Sequence, residues 1–141
     1  MSGFSKEERD AMKQRAEELR STKGVKGAAK KAKELEACMA AIEKLTGFDN
    51  ELAARYHVVV TEEAPDLDPK TFYGFPAYAR DGKVVTFVQP ASKFSTRYAT
   101  VNFDEPANLD DGVMWPVSFA VLEWTDEVGT TLRELVRRAV G

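Results

Sequence analysis

Apolar positions recur at three- and four-residue spacing through the first part of the chain. Beyond Pro69 they alternate or run together between turn residues. Ser5 followed three residues later by Glu8 forms a capping box, which predicts a helix from Lys6 to Arg20. Its stripe of Met12, Ala16 and Leu19 is thin, so weak anchoring is expected. Ser21–Gly27, with two glycines, reads as a flexible link. A second helix, Ala28–Thr46, carries Ala32, Leu35, Met39 and Ile42, and Gly47 fits its stop. Asp49 is expected to cap a third, Asn50–Ala64, ended by Pro65. Val58-Val59-Val60-Thr61 has strand propensity, yet Leu52, Tyr56, Val59 and Val60 share one helical face.

After Pro65-Asp66-Leu67-Asp68-Pro69 the texture is that of strands. Ala77–Arg80 and Lys83–Gln89 flank Asp81-Gly82, the pair that a tight type I′ hairpin requires because both positions need positive φ. Further strands are expected over Arg97–Phe103 and Val117–Leu122, separated by the acidic loop Asp104–Gly112. Thr125 then caps a helix striped by Val128, Leu132, Leu135, Val136 and Ala139. Short turns force antiparallel pairing. The predicted class is α+β: N-terminal helices, an antiparallel sheet of about four to five strands, and a C-terminal helix packed on the sheet. Residues 1–27 are read as a weakly anchored helix and link ahead of one domain, 28–141.

The composition fits a globular domain: 141 residues, 43% hydrophobic and 30% charged. No apolar run approaches the roughly 20 residues that cross a bilayer, and Met1–Glu7 lacks the apolar core of a signal peptide. No membrane partner and a cytoplasmic location are the expectation. Charge divides unevenly, +3 over residues 1–48 and −6 over 49–141. Five lysines between Ser21 and Lys33 could form a phosphate-binding arm, but they lack arginine and aromatic company, which disfavours nucleic acid.

Catalytic signatures are missing. Cys38 is the one cysteine and His57 the one histidine, so neither a disulfide within the chain nor a zinc cluster can form. Cys38 lies in an apolar helical setting and reads as a buried thiol, and His57 as a residue at the edge of an apolar stripe. The glycines make no phosphate loop, and Ser92, Ser95 and Ser118 sit in no nucleophile elbow.

Tyr73-Gly74-Phe75-Pro76-Ala77-Tyr78, Gly82-Lys83-Val84-Val85, Lys93-Phe94, Arg97-Tyr98-Ala99-Thr100, Ala107–Gly112 and Met114-Trp115-Pro116 resemble the YdhG-like bacterial family of domains of unknown function. The opening Phe4–Arg9 is similar to its longer members. Some relatives are described as frataxin-like iron chaperones, so the resemblance implies an α+β sandwich and, as one alternative, delivery of ferrous iron.

Two candidate surfaces follow. Tyr73, Tyr78, Lys93, Arg97, Tyr98 and Trp115, if the sheet gathers them, set two cations beside aromatic walls suited to an anionic or planar small molecule. Lys93 and Arg97 could equally pair with Asp110 and Asp111. For iron, the carboxylates Asp104, Glu105, Asp110 and Asp111 are the candidate ligands, with Glu62, Glu63, Asp66 and Asp68 a second acidic group. The reading favoured is a binding module for an unknown small molecule or protein, without catalysis and with no cofactor. Ferrous iron is the alternative.

Overall fold

The computed structural model describes residues 3–141; Met1 and Ser2, which open the stretch read above for a leader, lie outside the described residues. Helix α1 (Lys6–Ser21) begins at the expected capping box. The Glu8 N–H donates to Ser5 Oγ at 3.1 Å, and the Ser5 N–H donates to the Glu8 carboxylate at 2.8 Å. Helices α2 (Gly27–Lys44) and α3 (Gly47–Glu63) follow, and the valine run is helical as its spacing requires, with Val59 and Val60 buried.

Two local expectations change. Asp49 does not cap α3, whose N-cap is Thr46. Its carboxylate instead accepts the N–H groups of Ala91 and Ser92 at 2.9 and 3.1 Å, capping the 3-10 turn Ala91–Lys93 from across the fold. On α2 the expected stripe holds at Ile42 and is otherwise rotated toward Cys38. Leu35 and Met39 stay 41% and 43% exposed, while Cys38 and Ile42 are buried. The cause is the neighbour: α2 lies along an edge strand that offers Lys70, so Glu34 turns inward to pair with it at 3.2 Å.

The strands are β1 (Asp68–Phe72), β2 (Phe75–Arg80), β3 (Lys83–Gln89), β4 (Ala99–Phe103) and β5 (Ser118–Val121). They pair antiparallel in sequence order, and helix α4 (Asp126–Val140) closes the described chain. The architecture is α+β, as expected. Nothing in the alternation signals β1, which contains Pro69 and is half-buried along its whole length. The Asp81-Gly82 turn has φ of +52° and +80°, the type I′ geometry. Tyr73-Gly74 repeats it at +55° and +81°, joining β1 to β2.

Cross-strand register assigns the two faces, because directly paired residues point the same way. Tyr78 pairs with Thr86 and Thr86 with Phe103, while Val88 pairs with Val101 and Val101 with Phe119. These make the inner face. A bulge in the β2–β3 ladder beside Tyr78 and Ala79 adds Val85 to the same core. Helix α3 covers it with Leu52, Tyr56, Val59 and Val60, and α4 packs chiefly on α3 while sending Leu132, Leu135, Val136 and Ala139 into one continuous cluster. Arg133 fastens the two helices, reaching Glu62 and Glu63 at 2.8 Å each. The opposite, outer face carries Phe72, Phe75, Ala77 and Phe87 toward β1, then Thr100, Asn102 and Ser118 toward β5.

Candidate functional site

The outer face is where the structure leaves space. Phe72, Phe75 and Phe87 project from three neighbouring strands and are joined by Phe94 from the loop after the 3-10 turn. Phe75 and Phe87 stack with planes 12° apart, and Phe72 and Phe94 meet them edge-on. Such offset and edge contacts suit the ring quadrupoles and make a stiff wall.

Helix α1 crosses this wall without closing onto it. Its C-terminal half is clamped: the Tyr73 and Gly74 N–H groups donate to the two oxygens of Glu18 at 3.1 and 2.7 Å, and Arg15 lies over the Phe72 ring at 5.2 Å. The clamp explains how Tyr73 holds positive φ, a costly conformation for a residue with a Cβ, because the turn's two N–H groups converge on one carboxylate. The N-terminal half buries only Ala11. Phe4, just before the helix, with Ala11 and Met12 line an open cleft of about 650 Å³ together with the ring wall, Tyr73 and Gln89. Ser5, Glu7 and Glu8 supply polar groups to the same lining. A cleft of this volume is in the range that takes small organic ligands.

The six residues singled out from sequence do not meet there. Tyr73 lines the cleft. Tyr78 is fully buried on the inner face and cannot line an open surface. Lys93 lies over Gly74, its Nζ only 2.9 Å from where a Cβ on that glycine would sit, and lines a separate polar groove with Gln14, Glu17 and Lys44. Arg97 stacks on its neighbour Tyr98 at 5.0 Å. Trp115 packs against the edge of the core. Among the described residues no ion pair joins Lys93 or Arg97 to Asp110 or Asp111. The dispersal has a simple cause: a strand's alternation sends Tyr78 to the face opposite Phe75 and Ala77. Four of the cleft's aromatic residues, Phe72, Phe75, Phe87 and Phe94, went unselected because phenylalanine carries no polar tip to suggest a site. Their same-face register, once β1 is known, is the signal that finds them.

The acidic groups fare likewise. Glu62 and Glu63 are engaged by Arg133, and Arg137 approaches Glu63 at 3.5 Å. Asp104, Glu105, Asp110 and Asp111 are exposed along a loop held by buried Ala107 and Leu109. No group of three or more His, Cys, Asp or Glu side chains stands close enough to share an ion among the described residues. The lysines after Ser21 are not a free arm either, since Lys30 and Lys33 line a groove shared with Glu18, Glu34 and Glu36, and Lys31 pairs with Asp68 at 3.6 Å.

A buried polar chain runs beneath the inner face. Thr86 donates its one hydroxyl proton to the Asn102 carbonyl at 2.7 Å, so Tyr56, 2.6 Å away, donates to Thr86. Tyr78 OH lies 2.9 Å from His57 Nδ1. Burial pushes both phenols well up and the Cys38 thiol to about 11, against hydrogen bonding from Tyr78 and the Ala77 backbone, and it pulls His57 down. Cys38 is therefore a neutral thiol at physiological pH, unsuited to nucleophilic attack. No side-chain nitrogen or oxygen buried among the described residues lacks a partner. This chain is fully satisfied and belongs to the core.

No protein-family model, curated protein or solved structure matches the chain. Among the described residues no helix is long and apolar enough to cross a membrane.

Proposed function

We propose that this protein is a binding module that takes a small molecule with a planar or apolar body into the cleft between α1 and the outer sheet face. One observation carries the reading: a wall of four phenylalanines in mutual stacked and edge contact, with Phe72, Phe87 and Phe94 partly exposed, lines an open cleft. Rings on a surface facing water lose the stabilisation of full burial, roughly 25 cal/mol per Å² of apolar area, and a ligand covering them recovers part of it. The proposal also takes the chain to be a YdhG-like domain, on the segments quoted above. The arrangement of Asp104, Glu105, Asp110 and Asp111 lends no comparable support to ferrous iron.

Titration with indole, followed by backbone amide shifts, tests the reading. Shifts should gather at Phe72–Phe75, Phe87–Gln89, Phe94 and the first half of α1. Phe87→Ala should weaken binding at least tenfold while the fold persists. Saturable shifts confined to the α3–α4 side, or none across a panel of neutral, cationic and anionic aromatic compounds, would overturn it.

A further inference from the structure

We infer that the cleft selects organic cations, ligands that join a quaternary or protonated amine to an apolar or aromatic body; this rests on the binding reading above and adds the ligand's charge. The lining contains neither lysine nor arginine, and its two ionisable groups with formal charge are the carboxylates Glu7 and Glu8. Both stand on the first turn of α1 and line the cleft with the rings. Aromatic faces attract cations through their quadrupole, and one ring of this wall already does so, with the Arg15 guanidinium 5.2 Å from the Phe72 centroid.

The start of α1 presents a competing influence, since a helix N-terminus favours anions. Its charge is equivalent to roughly half a unit. Two carboxylates outweigh it, and the capping box already occupies the Glu8 N–H. Glu7 is tethered to the loop after Phe94 by the Ser95 hydroxyl, which donates to its carboxylate at 3.2 Å, so the negative charge is held at the mouth. An anionic aromatic ligand, the class expected from Lys93 and Arg97, would meet the two carboxylates in the lining, while Arg9, bonded to the Phe4 carbonyl at 2.7 Å, and Arg15, over Phe72, stand outside it.

Three probes of similar shape separate the terms: benzyltrimethylammonium, the neutral neopentylbenzene and the anionic phenylmethanesulfonate, titrated against the full chain by amide chemical shifts. The cation should bind roughly tenfold or more tighter than the neutral compound, as expected for a partly desolvated cation on aromatic faces. The sulfonate should bind weakest. Glu7→Gln with Glu8→Gln, which keeps the capping geometry, should narrow the preference for the cation. Equal or tighter binding of the neutral compound would overturn charge selection and leave the cleft standing. Tightest binding of the sulfonate would do the same. Failure of all three to bind the folded protein would remove the cleft reading as well.

Discussion

Both faces of the sheet carry large aromatic side chains, and these meet different fates. On the inner face Val88, Val101 and Tyr78 are wholly covered, because α3 presents Leu52, Tyr56, Val59 and Val60 and α4 adds Leu132, Leu135 and Val136 to the same cluster. On the outer face Phe75 is buried by its neighbouring rings, yet Phe72, Phe87 and Phe94 remain only half-covered. The covering helix there is α1, which offers one buried residue, Ala11, and leaves Phe4 and Met12 60% and 41% exposed. Helix α1 is held mainly by polar contacts, from Glu18 to the Tyr73-Gly74 turn and from Ser95 to Glu7, whereas α3 adds five buried side chains to its polar contacts. Packing closes a surface, and polar clamps with little packing between them can leave one open.

Breaking the inner face should give the largest effect. Leu52→Ala deletes a fully buried side chain and should cost about 2–5 kcal/mol, read as a fall in Tm of roughly 10 °C. Breaking the outer clamp should cost less and act locally. Glu18→Ala strands two N–H groups of a strained turn, a loss of about 2–4 kcal/mol. Hydrogen exchange should then accelerate across α1 and the Tyr73-Gly74 turn and leave α3 unchanged. If α3 exchanged equally fast, the two faces would be one cooperative unit and the contrast would fail.

Smaller changes sharpen the inner face. Tyr56→Phe removes a donor but leaves Thr86 its bond to Asn102, so chemical denaturation should register only about 1 kcal/mol. His57 should give the slightest effect, through pH. Burial lowers its folded value below the ordinary 6.5, so the unfolded chain takes up the proton first as pH falls. Its contribution is intact above about pH 6.5 and declines below that until the folded ring also protonates. His57→Gln should flatten this slope; an unchanged slope would assign it to other groups.

Much of the fold is legible in the residues themselves. The Ser5 and Glu8 capping box, the Asp81-Gly82 hairpin, the helical valine run and the α4 stripe each rest on local stereochemistry, and local stereochemistry travels with the sequence. The candidate site was legible only at Tyr73. Strand β1 is concealed by Pro69 and Lys70, and without it Phe72 has no face to belong to.

By itself, then, the chain's pattern determined the class, the antiparallel pairing and the Asp81-Gly82 turn, because each depends on neighbours within a few residues. Tertiary structure alone decided which rings share a surface and which are sealed. It also decided that Asp49 and Glu18 serve distant turns, 42 and 55 residues away in sequence. Those outcomes depend on strand register, and a shift of one residue would exchange the faces and dissolve the cleft.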